Sequence, residues 1–275
     1  MGADHDGGRF IDPPPLALAH RGGVKLPVNS GIENSVRAVR NAVDLGFSYI
    51  ETDVRPSSDG VAFAFHDPDL TRVCSHTANA GSMFSSLTAK QIKELPLDGG
   101  EPIATLAELL QACPHTRFNI DVKTAAVIAP TVRAIAAAGA QERVLIASFS
   151  MRRLRTARRM LPGVATSANP LEVLGLVVGW GPLRALARRH GAVAVQVPEY
   201  YRGFRLVSPR FVRIAHEEGL QVHVWTVDEP SDMNRLLDMG VDGIITDRPD
   251  ILKDVLIERG QWRDSQGEIV GDSHQ

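Results

Sequence analysis

Short apolar runs alternate with amphipathic runs along most of this 275-residue chain. Most of the apolar runs are continuous, which is typical of strands that are covered on both faces. Several of the amphipathic runs begin at Ser or Pro or are followed directly by Gly, as helices often are. The predicted strands are residues 16–19, 49–54, 61–65, 117–122, 144–148, 164–167, 193–197, 221–226 and 243–246, and the predicted helices are 34–45, 126–138, 150–161, 209–218 and 231–239.

Repeated strand–helix units over this length predict an α/β fold, most simply a (β/α)8 TIM barrel built on a parallel sheet. Residues 68–105 break the rhythm, and we interpret them as a small insertion after an early strand that lies over the barrel mouth. The predicted organisation is a flexible segment over 1–14, the barrel over 15–257 with its insertion at about 68–105, and a polar tail over 258–275.

Composition narrows the choice of function and location. The net charge of −2 gives no general attraction to nucleic acid or to an anionic membrane. Cys74 and Cys113 are too few for a disulfide scaffold and lack the spacing of a metal site. The first residues lack the basic and apolar regions of a signal peptide, and no run reaches the roughly 18 apolar residues of a membrane-spanning helix. We expect a cytoplasmic protein without a transmembrane segment, and the pattern does not specify its oligomeric state.

Three carboxylates stand at predicted strand ends. Glu51 and Asp53 are two residues apart, so a strand places both on one face, and Asp121 is the acid of another strand. Like charges that point into a core are costly unless a cation or a base balances them. The alternative to a metal site is a set of ordinary ion pairs, such as Asp121 with Lys123.

A parallel barrel would gather these acids, because the carboxyl ends of all its strands meet at one mouth. An all-oxygen site of this kind suits a hard cation better than Zn²⁺. One divalent cation, Ca²⁺ or Mg²⁺, is therefore the expected cofactor.

Two histidines also follow apolar runs. A single histidine at a strand end is more often structural, but His20 and His66 beside an acid cluster indicate proton transfer. Arg21 and Lys123 are suited to binding the non-bridging oxygens of a phosphate, to neutralising the carboxylates, or to both. Together these residues suggest metal-assisted cleavage of a phosphoester.

Other residues near strand ends allow two interpretations. Trp225 is either a core residue or a side chain at the barrel mouth that packs against the alcohol group of a substrate. His223 is interpreted as a core residue and Asp247 as the cap of the final helix. The apolar stretch at 173–183 is interpreted as a barrel helix or a long loop, with a lipid-facing lip, and hence transient membrane contact, as the alternative.

Taken in order, these motifs resemble those of the glycerophosphodiester phosphodiesterase family. The resemblance covers roughly residues 15–257, and it is most specific where two histidine blocks enclose a Glu-x-Asp pair. The matching runs are HRG at 20–22, ENS at 33–35, ETDV at 51–54, DG at 59–60, HDPDLTR at 66–72, IDVK at 120–123, VWTVD at 224–228 and TDRPD at 246–250.

The resemblance implies a TIM barrel that hydrolyses a small glycerophosphodiester to glycerol 3-phosphate and an alcohol. The residues that it assigns are Glu51, Asp53 and Asp121 as metal ligands, His20 and His66 as the acid–base pair, Arg21 and Lys123 as phosphate ligands, and Glu33 and Asn34 as supporting residues. The family more often has Glu at the position of Asp121, and this departure leaves the choice between Ca²⁺ and Mg²⁺ open.

Two other functions stay open at this point. A lysophospholipase D that acts on one-chain lipids is favoured by the apolar stretch at 173–183 and by the apolar–aromatic run near Met83 and Phe84. A non-catalytic barrel that binds a phosphorylated ligand is the other, although all the expected reactive residues are present.

Overall fold

A closed parallel barrel forms the centre of the computed structural model, which describes residues 10–179 and 181–263. The described strands are β1 (Leu16–His20), β2 (Tyr49–Pro56), β3 (Ala62–Ala64), β4 (Arg117–Val122), β5 (Val144–Ala147), β6 (Ala165–Ser167), β7 (Ala192–Pro198), β8 (Tyr200–Tyr201), β9 (Phe204–Arg205), β10 (Gln221–Trp225) and β11 (Gly243–Thr246). The barrel order is β1–β11–β10–β7–β6–β5–β4–β2, and pairing of β1 with β2 closes it. The predicted (β/α)8 TIM-barrel fold is confirmed.

Helices follow the barrel strands and cover the outside of the barrel. The described helices are α1 (Val36–Asp44), α2 (Ala89–Lys93), α3 (Leu106–Ala112), α4 (Ile128–Ala137), α5 (Met151–Met160), α6 (Pro170–Val178), α7 (Gly181–Arg184), α8 (Leu186–Arg189), α9 (Pro209–Glu217), α10 (Pro230–Asp238) and α11 (Pro249–Glu258). The five predicted helices are confirmed as α1, α4, α5, α9 and α10. The described part of 173–183 is mostly helical, in α6 and α7.

Alternation along the barrel strands separates two layers of core. In β1, Ala17 and Ala19 pack toward the surrounding helices, whereas Leu16 and Leu18 belong to a separate cluster inside the barrel. The inner cluster also contains Phe10, Tyr49, Leu145, Ala165, Ala194 and Ile245. Inward positions recur every second residue, so those that follow this layer lie nearer to the carboxyl ends of the strands, where the barrel opens.

One predicted strand does not join the parallel barrel. The run 61–65 was predicted as part of the parallel sheet, but β3 pairs antiparallel with the outer half of β2, with Ala64 opposite Val54. The reason lies in the unequal strand lengths. β1 ends at His20, opposite Glu51, so the rest of β2 has a free edge, and the chain folds back onto that edge.

Residues 66–105 contain no barrel strand, and they contribute most of a small apolar core of their own. Phe84 is fully buried in this core and stacks on Phe65 with ring centroids 4.3 Å apart. The suggestion that the run near Met83 and Phe84 contacts lipid is therefore wrong for Phe84, which already has a protein partner, although Met83 is exposed.

The first and last described residues pack near the amino-terminal end of the barrel. The edge of the Phe10 ring meets Tyr49 with centroids 5.4 Å apart, and the hydroxyl of Tyr49 donates to the carbonyl of Phe10. Trp262 is buried against Phe47. The rest of the predicted flexible segment and polar tail, residues 1–9 and 264–275, lies outside the described residues. Among the helices that are described, none is long and apolar enough to span a membrane.

Candidate active site

Neighbouring strands bring the three predicted acids to one end of the barrel. Glu51 and Asp53 follow Tyr49 at inward positions of β2, and Asp121 is an inward residue of β4. All three acids are buried, and the strand register places Asp53 directly opposite Asp121. The same register places His20 opposite Glu51. The ends of β1, β2 and β4 therefore form one continuous charged surface.

Two basic side chains lie among these acids. Lys123 Nζ lies 2.7 Å from Asp53 Oδ1 and 2.7 Å from Asp121 Oδ2. Arg21 Nε lies 3.0 Å from Asp53 Oδ2 without the alignment of a hydrogen bond, and Arg21 Nη1 donates to Glu33 Oε1. Burial alone would raise the pKa of Asp53, but the charges of Lys123 and Arg21 outweigh it and lower that pKa. Asp53 is therefore held as a carboxylate.

Nearby positive charges lower the pKa of Glu51 less than that of Asp53. Burial, followed by repulsion from the Asp53 carboxylate, raises the pKa of Glu51 to about 8. Burial also raises the pKa of Asp121, although Lys123 opposes the shift. One more positive charge beside these groups would favour the ionised form of both acids.

His20 is anchored by a residue from the other end of the chain. Its Nδ1 lies 2.6 Å from Asp247 Oδ1 across 227 positions of sequence, because β1 pairs with β11. Burial lowers the pKa of His20, but the carboxylates of Glu51 and Asp247 outweigh it, and the pKa is raised. Since a carboxylate only accepts, Nδ1 carries a proton, and Nε2 is the nitrogen that lies 3.6 Å from Glu51.

His66 has a similar anchor from its own neighbour in sequence. Phe65 N donates to Asp53 O at 2.9 Å, which places the next residue, His66, beside the end of β2. His66 Nδ1 lies 2.6 Å from Asp67 Oδ1, and burial lowers the pKa of His66. Both histidines thus present Nε2 as the nitrogen without a carboxylate anchor.

Glu33 and Asn34 support this arrangement. Arg72 donates to both oxygens of Glu33, at 2.6 and 2.7 Å, and its Nε donates to Asp67 at 2.6 Å. Glu33 therefore links the Arg21 side of the site to the His66 side. Asn34 has a φ of 61° and accepts a hydrogen bond from the hydroxyl of Thr52 at 2.7 Å.

The opposite side of the mouth is apolar. Trp225 is half-buried at the end of β10. Its ring and that of Phe149 make an edge-to-face contact, with ring centroids 6.0 Å apart. Trp225 also packs against the inner core cluster, so its position has features of both interpretations, and its contact with a substrate stays a prediction. His223 lies deeper and is fully buried between Gln196 and Gln221, in agreement with its interpretation as a core residue.

Residues 20–251 match the model of the glycerophosphoryl diester phosphodiesterase family. The chain belongs to this family. It is 44% identical over 257 residues to probable glycerophosphodiester phosphodiesterase 2 of Mycobacterium tuberculosis, and the match covers 90% of this chain and 92% of that protein. Family membership makes the chain a phosphoric diester hydrolase, as its motifs suggested.

Solved structures of the same family share the fold. A glycerophosphodiester phosphodiesterase from Parabacteroides distasonis superposes with a TM-score of 0.74 at 25% identity and covers 91% of this chain and 100% of that chain. An Oleispira antarctica phosphodiesterase in complex with the product sn-glycerol 3-phosphate gives a TM-score of 0.73 at 19% identity, with coverage of 88% and 97%.

The prediction for Asp247 is wrong. The N-cap position before α11 is occupied by Arg248, and no side chain caps the helix there. Asp247 instead points to the mouth, where it contacts His20 and lies 3.6 Å from Lys25. The error is physical in origin, since an acid before a helix is a common cap and only barrel closure reveals the distant histidine.

Sequence reasoning also missed Asp67 and Arg72, which orient His66 and hold Glu33. The signal was present in the matching run HDPDLTR, whose first, second and last residues are His66, Asp67 and Arg72. Asp228 was missed as well. It accepts from Lys25, from the hydroxyl of Thr246 and from the backbone of Asp247, so it braces the anchor of His20.

Carboxylate oxygens that are buried without a hydrogen-bond donor are candidates for binding a divalent cation. Glu51 Oε2, Asp53 Oδ2 and Asp121 Oδ1 have no hydrogen-bond donor. Across residues 10–179 and 181–263, however, no three His, Cys, Asp or Glu side chains are grouped as a ready metal site. The ammonium of Lys123 lies between the two aspartates instead. The donor set therefore fits a hard cation in its chemistry, and joint binding requires the carboxylates to turn toward one point.

Proposed function

We propose that this protein hydrolyses glycerophosphodiesters to glycerol 3-phosphate and an alcohol. The observation that carries the proposal is the pair of carboxylate-anchored histidines, His20 and His66, beside a buried cluster of three acids. Family membership and the relative from Mycobacterium tuberculosis support the substrate class. The product-bound Oleispira antarctica structure is compatible with it at the level of the fold.

The histidines would move the two protons that the reaction requires. In each, the anchoring carboxylate holds Nδ1–H, so Nε2 is free to take or give a proton. One histidine would deprotonate the attacking water or a neighbouring hydroxyl of the substrate, and the other would protonate the leaving alcohol. Transfer through positioned groups of this kind contributes about 10²–10⁴ to a rate.

Arg21 and Lys123 would bind the phosphate. Both side chains are mostly buried and already lie within 3.0 Å of Asp53, so they are positioned before a substrate arrives. Their charges would stabilise the negative charge that grows on the phosphate oxygens. Asp53 would hold them in place and keep them fully protonated, since its carboxylate raises the pKa of Lys123 although burial opposes the shift.

One Ca²⁺ or Mg²⁺ ion is part of the proposal. Glu51, Asp53 and Asp121 would hold it, because each has a buried oxygen without a donor. When bound, such an ion polarises the phosphoryl group as a Lewis acid. It would also favour the ionised form of Glu51, because a positive charge opposes the effects of burial and of the Asp53 carboxylate, which raise the pKa of Glu51.

The test is release of glycerol 3-phosphate from glycerophosphocholine by the purified protein. The enzyme is assayed after chelation and again with Ca²⁺ or Mg²⁺ restored separately. We expect turnover that disappears with the chelator and returns with one of the cations. Absence of turnover under every condition, with ligand binding retained, would replace hydrolysis by a role in binding a phosphorylated ligand.

A matched pair of variants tests the metal ligands separately. We expect Glu51→Gln to need more cation for half-maximal turnover, since it removes one charged ligand. Glu94→Gln removes an exposed acid outside the buried acid cluster and should behave as the wild type. Equal cation dependence in all three proteins would argue against Glu51 as a ligand.

The apolar side of the mouth favours a second substrate, a lysophospholipid. Phe149 and Trp225 offer a surface that an acyl chain could contact and that a choline or ethanolamine head group does not need. A higher kcat/KM for lysophosphatidylcholine than for glycerophosphocholine would favour lysophospholipase D activity, and a lower one would exclude it as the main activity. The cytoplasmic location inferred from the sequence stays a prediction.

A further inference from the structure

Large hydrophobic side chains that reach solvent are concentrated at the mouth of the barrel. Eight of the twelve that are exposed among the described residues lie in segments that follow strand ends there: Val28, Met83, Phe149, Met151, Leu171, Tyr200, Tyr201 and Phe204. Three more, Leu174, Val177 and Val178, continue α6, and Met160 ends α5 at the opposite end of the barrel. Exposed apolar surface that is concentrated in this way marks an interaction site.

The most exposed part of this surface is a small hairpin. β8 and β9 pair with each other, Tyr200 opposite Arg205 and Tyr201 opposite Phe204, and with no other described strand. All six residues from 200 to 205 are exposed, and Phe204 is 77% exposed. A two-stranded hairpin is marginal by itself, so a partner that covers its exposed aromatic side chains would stabilise it.

The base of the hairpin is held firmly. Glu199 accepts two hydrogen bonds from Arg235, each of 2.8 Å, and its carbonyl accepts from Leu206 N at 2.8 Å. Its carboxylate also lies 3.3 Å from Arg205. The aromatic tip therefore projects from a fixed base beside the mouth.

Charge identifies the kind of partner. The tip carries Arg202 and Arg205, and the guanidinium of Arg202 lies 5.5 Å from the centre of the Tyr201 ring. No acidic partner of Arg202 is found among the described residues. Tyrosines with an apolar body and a polar hydroxyl, next to arginines that bind phosphate, are typical of the interface between lipid tails and head groups. The whole chain has a net charge of −2, so this positive charge is local.

The hairpin is continuous with the apolar side of the mouth. Pro198, two residues before Tyr200, pairs with Trp225 in the strand register, and Trp225 contacts Phe149. Phe149 is also largely exposed. The hairpin and Phe149 therefore both adjoin Trp225, on the same side of the barrel opening.

We propose that the hairpin of residues 200–205, together with Phe149, binds the surface of an anionic lipid bilayer. Binding would seat the aromatic rings among the head groups, with Arg202 on lipid phosphates, and would hold the barrel mouth toward the membrane. A bilayer fits better than a second copy of the chain, because the tip places exposed aromatic rings next to Arg202, for which no acidic partner is found among the described residues.

Vesicle co-sedimentation of the full chain tests the proposal without any substrate. Vesicles contain phosphatidylglycerol and phosphatidylcholine in equal parts, or phosphatidylcholine alone. We expect binding to the anionic vesicles and a loss of on the order of tenfold or more in partition for the double variant Tyr201→Ser, Phe204→Ser, which removes two exposed rings that the bilayer would bury. The matched control is Met160→Ser, which removes an exposed hydrophobic side chain from the opposite end and should bind as the wild type.

A charge variant separates the two components of binding. Arg202→Gln should weaken partition on anionic vesicles about fivefold and leave the low partition on pure phosphatidylcholine unchanged. The proposal is wrong if the wild type binds neither vesicle, or if the double variant binds as well as the wild type. It is also wrong if vesicle binding is absent and sedimentation equilibrium shows a dimer that the double variant loses, since the hairpin then contacts a second copy. Turnover of glycerophosphocholine is a separate readout, so failure of one proposal does not imply failure of the other.

Discussion

The two halves of the barrel mouth differ sharply in chemistry. Four neighbouring strands, β11, β1, β2 and β4, end in charged side chains: Asp247, His20, Arg21, Glu51, Asp53, Asp121 and Lys123. The other four, β5, β6, β7 and β10, end mostly in neutral or apolar residues, among them Phe149, Pro198 and Trp225. The acids that follow β7 and β10, Glu199 and Asp228, contact Arg235 and Lys25. The same strand architecture therefore carries two different surfaces.

The comparison suggests how one barrel mouth can bind both the phosphate and the alcohol group of a diester. The charged half keeps acids and bases within about 3 Å of one another, and burial makes each charge depend on its neighbours. The apolar side chains do not depend on neighbouring charges in this way, so we expect their substitution to have little effect on kcat. We expect variants in the two halves to separate turnover from the binding of alcohol groups or lipid.

The largest effect is expected from loss of a histidine in the charged half. His20→Ala and His66→Ala should each lower kcat for glycerophosphocholine by about 10²–10⁴, because each removes one of the two proposed proton-transfer groups. Circular dichroism should show a retained fold. His115→Ala removes an exposed histidine at the other end of the barrel and serves as the control. Near-normal rates in both mouth variants would contradict the assignment.

The next effect concerns stability and the apolar half. Burial lowers the pKa of His223, which lies below Trp225, to about 4. Between the ordinary value of 6.5 and 4, the unfolded chain binds a proton that the folded chain does not, so stability falls as pH falls through this range. The loss should amount to about 3 kcal/mol.

His223→Gln tests this expectation, because the amide can keep hydrogen bonds and does not titrate. The free energy of unfolding in urea should depend less on pH between about 4 and 6.5 in the variant than in the wild type. Identical pH dependence in the two proteins would show that folding does not lower the pKa of His223.

A smaller effect is expected from Asp247, which acts on the reaction only through His20. Asp247→Asn should lower kcat on the order of tenfold to a hundredfold, in line with loss of a hydrogen bond to a charged group. The apparent pKa of His20 should fall, since the carboxylate helps to raise it against burial. KM should change little. Asp250→Asn, three residues later in the pair with Arg248, is the control, and equal effects would indicate a merely structural role.

The smallest effect sharpens the contrast between the halves. Phe149→Ser should lower kcat/KM for monomeric lysophosphatidylcholine by about threefold to fivefold and leave kcat/KM for glycerophosphocholine unchanged. The effect should be small because the Phe149 side chain is 62% exposed, so its removal costs little apolar contact. Met160→Ser is the control for a general effect of polarity. An equal decrease on both substrates would place Phe149 in the chemistry instead of in chain binding.

The sequence predicted a large part of the charged half. Period-two alternation placed Glu51 and Asp53 on one face, and the apolar runs identified the strands whose ends carry His20 and Asp121. Both signals are local, because they depend only on residues within one strand. The parallel-barrel rule then brought these strand ends together without any knowledge of contacts.

Only the tertiary structure decided which partners these residues have. The contact between His20 and Asp247 depends on closure of the barrel by β1 and β11, and the return of β3 along β2 depends on unequal strand lengths. Exposure is also a tertiary property. Phe84 and Phe204 are both aromatic residues in irregular segments, yet the first is buried in the insertion core and the second reaches solvent. A pattern records the type of side chain, whereas packing across the chain determines what that side chain meets.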